Sequence, residues 1–268
     1  MKVGKMRKIV IGDVHGCLEE LQQLIEKLEI QKEDEVVFVG DLIDKGPDSL
    51  GVWRFVQDAK NFNHANRIFV WGNHEDKQYR YLKNPSNFNN ISTDLLIQQN
   101  FSQQDKDLFD AFVLYHYDPR FHLFVIHAGL LPSIKSLSFF IYEKATEYYK
   151  GRLSNKKLRP FILNTKVRYL SKETLHFVAL GQEKVDDPFW AEIYDGRMGT
   201  IVFGHEAFLE VQEFSHAIGI DTGCVYGNKL TAAVFELDSK LPKFISVDSK
   251  QQYTQSYHPL GHKKSNRS

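Results

Sequence analysis

The sequence has no excess of charge of either sign: 34 Lys and Arg stand against 34 Asp and Glu in 268 residues, a formal net charge of zero. That balance removes the broad basic field needed for non-specific binding to nucleic acid or to an anionic membrane. A local basic pocket for a phosphorylated small molecule stays open. Cysteine is also scarce. Cys17 and Cys224 are the only two, and they are too few and too far apart for a disulfide framework or a Cys-x-x-Cys site. A reducing cytoplasm is the expected setting. No stretch approaches the ~18 apolar residues of a membrane span. The early apolar run, Ile9-Val10-Ile11, is too short for a signal peptide core. With 42% hydrophobic and 25% charged residues the chain is ordinary for a soluble globular protein, which excludes disorder, collagen and coiled coil.

Hydrophobic periodicity gives the organisation. Lys8 to Ile11 is a β-branched run ending at Gly12, followed by Leu18, Leu21, Leu24, Ile25 and Leu28 at helical spacing. Val36 to Val39 runs into Gly40-Asp41 and a second helical stretch through Leu50, Trp53 and Val56, and Ile68 to Trp71 stops at Gly72-Asn73-His74. Three βα units predict an α/β fold with a mostly parallel sheet, whose ligands gather at the C-terminal strand ends. The chain then reads as polar and helical to about Tyr117, and Phe121 to Ile126 as a buried strand before His127. An aromatic and basic segment over about 132–185 predicts an inserted helical lid. From Thr200, short strands with turns suit an antiparallel closing sheet. The expectation is one domain over 1–250 and a flexible tail over 251–268, which lacks an apolar period.

The polar residues that follow these strands share a pattern. Asp13 and His15 lie in GDVHG, Asp41 and Asp44 in GDLIDKGP, Asn73 and His74 in GNHE, His127 in HAG and His205 in GH, each near a glycine that lets the backbone turn tightly. Any one of them alone would read as a turn, an N-cap or a hydrogen-bonded structural histidine. Five strand ends that all deliver acids and imidazoles to one edge would be penalised by burial without a metal. Carboxylates, imidazoles and one amide oxygen, with no thiolate, suit divalent ions such as Mn²⁺, Fe²⁺ or Zn²⁺, and Asp41 could bridge two of them.

In this order, GDVHG, GDLIDKGPDS, GNHE, HAG and VFGH resemble the five-motif signature of the calcineurin-like metallophosphoesterases, specifically their phosphoprotein-phosphatase branch. Within the branch, NTKVRYL, PFWAEIYDGR and IDTGCVYGNKLTA are similar to the symmetrical diadenosine tetraphosphatases and their relatives. The resemblance implies a fold of two mixed β-sheets flanked by helices. It further implies one ion on Asp13, His15 and Asp41 and a second on Asp41, Asn73, His127 and His205. A bridging hydroxide would attack phosphorus in line, with His74 as the general acid and Asp44 as the carboxylate that orients it.

Lys45 departs from the arginine that protein phosphatases of this branch generally carry, exchanging a bidentate fork for a point charge. With Arg168 and Arg197 it forms the expected set of phosphate-contacting cations. The function expected is hydrolysis of a phosphoanhydride or phosphoester, foremost in a dinucleoside polyphosphate. The rivals are a Ser/Thr or Tyr phosphoprotein phosphatase and a non-catalytic phosphate-binding scaffold. The scaffold is disfavoured because no implied ligand is missing. The partner expected is a phosphorylated small molecule, and the sequence carries no signal of oligomeric state.

Overall fold

A computed structural model describes residues 6–87, 100–136, 162–239 and 241–256. Two mixed sheets stack face to face. The first has strand order β11-β10-β1-β2-β3-β4, with β1 Arg7–Ile11, β2 Glu35–Phe38, β3 Asn66–Val70, β4 Phe112–Val113, β10 Lys229–Glu236 and β11 Lys243–Asp248. The second runs β5-β6-β7-β9-β8, with β5 His116–Asp118, β6 Leu123–Val125, β7 Thr200–Phe203, β8 Gln212–Glu213 and β9 Ala217–Gly219. This is the architecture that the motif resemblance implies.

The alternation of side chains explains why the strands read as continuous apolar runs. Val10, Val37, Val39, Val70, Leu123, Val125, Val202 and Ile218 form the layer between the sheets. Their neighbours Ile9, Ile11, Val36, Phe38 and Phe203 face the helices instead. The helices α1 Leu18–Leu28, α2 Ser49–Gln57, α3 Asn73–Lys83 and α4 Gln103–Asp107 cover the first sheet's outer side. Trp53 sits there among Phe101, Phe109 and Phe112, with ring centroids 4.7–5.6 Å away.

The closing strands are not antiparallel throughout. β6, β7 and β9 are mutually parallel, and antiparallel pairing is confined to β5 with β6, β8 with β9, and β10 with β1 and β11. The connections between the parallel strands are too long and irregular to show their direction in the residues themselves. β4 and β5 lie inside the stretch that reads as helical. Each has only two or three residues, too few for a period to register.

Part of the expected lid, 137–161, lies outside the described residues. Its described remainder is largely non-helical: one turn over 162–164 is followed by bends and the isolated bridges Tyr169↔Phe189 and Leu170↔Phe177. The start of the expected tail is docked. The Tyr253 hydroxyl donates to Glu20 Oε1 at 2.8 Å, and the amides of Tyr253 and Thr254 donate to the Val225 carbonyl at 3.1 and 3.2 Å. Polar anchors of this kind leave no apolar period to read. Residues 257–268 lie outside the described ones.

Candidate metal centre

The candidate site residues leave the C-terminal ends of five parallel strands, three in one sheet and two in the other. Asp13 and His15 follow β1, Asp41 follows β2, Asn73 opens α3 after β3, His127 follows β6 and His205 follows β7. The edges of both sheets thus converge on one place. The turns there are strained: His15, Asp41, Asp44, Lys45 and His205 all have positive φ, between 46° and 70°. For side-chain-bearing residues such backbone is costly and characteristic of functional sites. Two glycines permit the close approach. A Cβ on Gly204 would fall 1.9 Å from Asp13 Oδ1, and one on Gly72 would fall 2.1 Å from Asp41 Oδ1.

The tautomers follow from the hydrogen bonds. His127 Nδ1 donates to the Val39 carbonyl at 2.9 Å, which places Nε2 3.1 Å from Asn73 Oδ1 and 3.5 Å from Asp41 Oδ1. His15 Nδ1 donates to the Ile43 carbonyl at 3.0 Å, leaving Nε2 3.5 Å from Asp41 Oδ2 and 3.9 Å from Asp13 Oδ2. The buried Nε2 of His205 has no hydrogen-bond partner among the described residues. Burial holds the imidazoles of His15 and His205 well below their ordinary pKa, in the neutral form that ligates metals.

The two nearest acids are driven in opposite directions by their neighbours. Burial, then repulsion from Asp221 and Asp41, drives Asp13 well above the usual carboxylate range. Burial also works against Asp41, but the surrounding imidazoles of His127 and His74 hold it well below that range. The groups His15, Asp41, His74 and Asp41, His127, His205 each bring their donor atoms within 4.8 Å of one another. Orphaned lone pairs, neutral imidazoles and surplus carboxylates fit divalent cations.

His74 lies at the mouth of this cluster, its side chain 14% exposed. Its Nδ1 is 2.8 Å from Asp44 Oδ2, and its Nε2 is 3.9 Å from Asp41 Oδ2. Asp44 Oδ1 in turn accepts from Gln78 Nε2 at 2.7 Å, so the carboxylate is held from both sides. The mostly buried ammonium of Lys45 donates to His15 Nε2 and to the Tyr226 hydroxyl, each at 2.9 Å. Despite burial, Tyr226 and Asp41 raise its pKa, so it stays charged.

The two arginines are differently placed. Arg168 donates to the His205 carbonyl at 3.2 Å beside the cluster, and its guanidinium pairs with Glu206. Arg197 donates to the carbonyls of Ile134 and Leu131 at 2.8 and 3.3 Å and to Asp195. Its contacts tie two loops together and involve none of the cluster.

The sequence reading missed three supports. Glu75 is fully buried and accepts from the amides of Asp41 and Leu42, each at 2.8 Å, which pins the strained turn; burial pushes its carboxyl up to about 8. Gln78 follows one helical turn after His74. Asp221, in the IDTGC run, accepts from the Gly223 amide at 2.9 Å and is pushed by burial up to about 6. The glutamate of GNHE and the aspartate of IDTG, acids next to strand ends like the others, were the available signal.

A family model for calcineurin-like phosphoesterases matches residues 6–209. The chain belongs to this family. Among curated relatives of this phosphoesterase, the asymmetrical bis(5'-nucleosyl)-tetraphosphatase PrpE of Oceanobacillus iheyensis is 31% identical over 269 residues, covering 92% of this chain and 94% of the relative. The protein of the same name from Bacillus subtilis is also 31% identical, with 92% and 96% covered. A solved structure described as a diadenosine tetraphosphatase superposes with a TM-score of 0.67 at 29% identity, over 92% of this chain and 95% of that one. A yeast serine/threonine phosphatase structure, at TM-score 0.61 and 18% identity, shares the fold. The phosphoesterase is thus a hydrolase of phosphoric esters or anhydrides. Among its described residues no helix is long and apolar enough to cross a membrane.

Proposed function

We propose that this phosphoesterase hydrolyses a phosphoanhydride bond of a dinucleoside polyphosphate, a diadenosine tetraphosphate-like substrate, with two divalent ions, Mn²⁺ foremost. The observation that supports the reading is the convergence of Asp13, His15, Asp41, Asn73, His127 and His205 after the ends of five parallel strands, with the buried Nε2 of His205 unpartnered among the described residues. Asp13, His15 and Asp41 would hold one ion, and Asp41, Asn73, His127 and His205 the other. Such ions supply Lewis acidity toward phosphoryl oxygens and make water a competent nucleophile at neutral pH.

The chain's own groups do the rest. With Nδ1 engaged by Asp44, His74 presents Nε2 at the open mouth of the site, where it gives a proton to the leaving phosphate oxygen. The Asp44–Gln78 contact keeps the ring in that orientation. Lys45, charged and mostly buried, offers an ammonium to a phosphate beyond the scissile one. Arg168 can join it only by loosening its pairing with Glu206, and Arg197 braces a loop.

The substrate class rests on the relatives, whose names specify a bis(5'-nucleosyl)-tetraphosphate and an asymmetrical cut. The motifs themselves resemble the symmetrical enzymes. Product analysis with diadenosine tetraphosphate and Mn²⁺ decides between them: an asymmetrical cut gives ATP and AMP, a symmetrical one two ADP. ATP plus AMP is expected. A clearly higher kcat/KM for a phosphopeptide under matched Mn²⁺ would overturn the nucleotide reading.

A further inference from the structure

The turn after Asp221 carries Tyr226, whose hydroxyl receives one hydrogen bond from Lys45; the turn closes on itself through the Tyr226 amide to the Gly223 carbonyl and the Gly227 amide to the Cys224 carbonyl, each at 3.0 Å. Gly223 and Gly227 bracket it in left-handed conformation, with φ of 70° and 90°. Glycines in that region leave alternative states of a turn accessible, so contacts from outside add to those internal bonds in selecting its orientation. Asn228 Nδ2 anchors one side to the carbonyls of Leu209 and Thr222.

The other side is held by the segment that follows β11. The Ser249 amide donates to the Asn228 carbonyl at 2.7 Å, and the Tyr253 and Thr254 amides both donate to the Val225 carbonyl, the residue before Tyr226. Gln252 lies against Gly227 closely enough that a Cβ there would come within 3.0 Å of it. The segment is fastened in its turn to α1: the Lys250 amide and the Tyr253 hydroxyl both donate to Glu20 Oε1, at 3.0 and 2.8 Å. Glu20 has no exposed surface. A buried carboxylate that loses one of these donors pays a desolvation cost, so the fastening is directional and firm.

We infer that residues 249–254 are a positioning strap for the substrate-binding side of the site. Through the Val225 carbonyl the strap fixes the turn, the turn fixes the Tyr226 hydroxyl, and that hydroxyl aims the Lys45 ammonium. Lys45 is otherwise directed at His15 Nε2 alone among the contacts it makes. Tyr253 is therefore a positioning residue. It touches no reacting group, and its effect reaches the site through the Lys45 ammonium, where it falls first on recognition of the phosphate chain. The inference rests on the reading of Lys45 as a phosphate contact.

The full-length holoenzyme tests it with Tyr253→Phe, which removes only the hydroxyl, Lys45→Ala, and the double variant. For diadenosine tetraphosphate, Tyr253→Phe should raise KM about 3- to 10-fold with kcat within about twofold, while KM for p-nitrophenyl phosphate, which has no further phosphate, stays unmoved. In the double variant the KM should match that of Lys45→Ala, because the strap acts through the same ammonium. Tyr226→Phe should reproduce the Tyr253→Phe pattern. If Lys45→Ala raises KM and Tyr253→Phe does not, the strap is overturned and the Lys45 reading stands. If Lys45→Ala leaves KM unmoved, both fall. Additive effects in the double variant, or equal rises for both substrates, would mean that Tyr253 only stabilises the fold, and would also overturn the inference.

Discussion

β1 runs between two buried ionic clusters. At its N-terminal end the ammonium of Lys8, with no exposed surface, contacts Glu35, His116 Nε2 at 3.0 Å and Asp118 at 2.8 Å, and Arg120 closes on Asp118. Burial lowers the Lys8 pKa, and burial opposes the Asp118 charge, but Arg120 and Lys8 together hold that carboxyl below the usual range. At the C-terminal end, roughly 16 Å along a strand rising ~3.3 Å per residue, the buried carboxyls of Asp13, Asp41, Asp44, Glu75 and Asp221 gather with the single ammonium of Lys45. Both clusters satisfy the donor geometry of a metal site on distance alone, since Glu35, His116 and Asp118 also come within 4.8 Å of one another. What separates them is internal neutralisation. Lys8 already fills the lower cluster, joining β1 and β2 of one sheet to β5 of the other. In the upper one the five buried carboxyls outnumber the Lys45 ammonium.

The sharpest way to break the contrast is to remove one carboxylate charge from each. Asp41→Asn should cut turnover by at least roughly 10²-fold and lower the metal content, because the carboxylate shared between the two proposed ion positions is lost. In the wild type, Mn²⁺ at 100 times its Kd should add about 2.7 kcal/mol of stability, and Asp41→Asn should lose most of that gain. Asp118→Asn should behave in the opposite manner. It leaves the buried Lys8 ammonium with Glu35 as its carboxylate partner among the described residues and should cost about 1–3 kcal/mol of stability while metal content and turnover per folded molecule hold. Thermal melts with elemental analysis check both. Normal metal content and turnover in Asp41→Asn would refute the assignment of this residue.

The histidines sharpen the same contrast. His74 and His116 are comparably exposed, and each has a ring nitrogen within 3.0 Å of a charged side chain, Asp44 for one and Lys8 for the other. His74→Asn should depress kcat by roughly 10²–10⁴, less so with an activated leaving group such as p-nitrophenolate, and keep its metal. His116→Asn should leave kcat unchanged. Equal losses for His74→Asn on good and poor leaving groups would argue against proton donation from Nε2.

The two clusters also differ in how far the sequence announces them. Asp13, Asp41, Asn73, His127 and His205 were legible because each closely follows an apolar strand and lies within two residues of a glycine, a local pattern that the parallel βα units then gather in space. Lys8, Glu35 and Asp118 carry no such mark: each is a single charge at a strand end, where a solvated residue is the ordinary expectation. The supports were hidden for a related reason. Glu75 acts by accepting backbone amides from a segment more than 30 positions away, a pairing that leaves no periodic trace, and Asp221 accepts from the amide two residues on, as an ordinary turn aspartate does. Tyr253 and Lys250 meet Glu20 across more than 200 positions, which is why the strap reads as a tail. Arg197 resembled a phosphate ligand by residue type, and only its contacts with Leu131 and Ile134 show it bracing a loop.

The smallest expected effect is the pH dependence of stability, where the clusters should pull in opposite directions. Asp118 has a depressed folded-state pKa, so its stabilisation is present above the unfolded value near 3.9 and is lost as pH falls below it. Asp105, held by Arg54 and Ser102 against the opposing effect of burial at about 2, adds a contribution of the same sign worth about 1–2 kcal/mol. Asp221 and Glu75, raised to about 6 and about 8, act in reverse: the folded state binds the extra proton, so the metal-free protein loses stability as pH rises from about 4 through these values. Without metal, the chemical denaturation midpoint should therefore peak near pH 4–5 and decline on both sides. Saturating Mn²⁺ should flatten the upper limb, since cations replace protons among those acids, and leave the acid limb as it was. Asp118→Asn should do the converse, weakening only the acid limb. An upper limb equally steep with and without Mn²⁺ would mean that the surplus carboxylates are neutralised by something other than the ions.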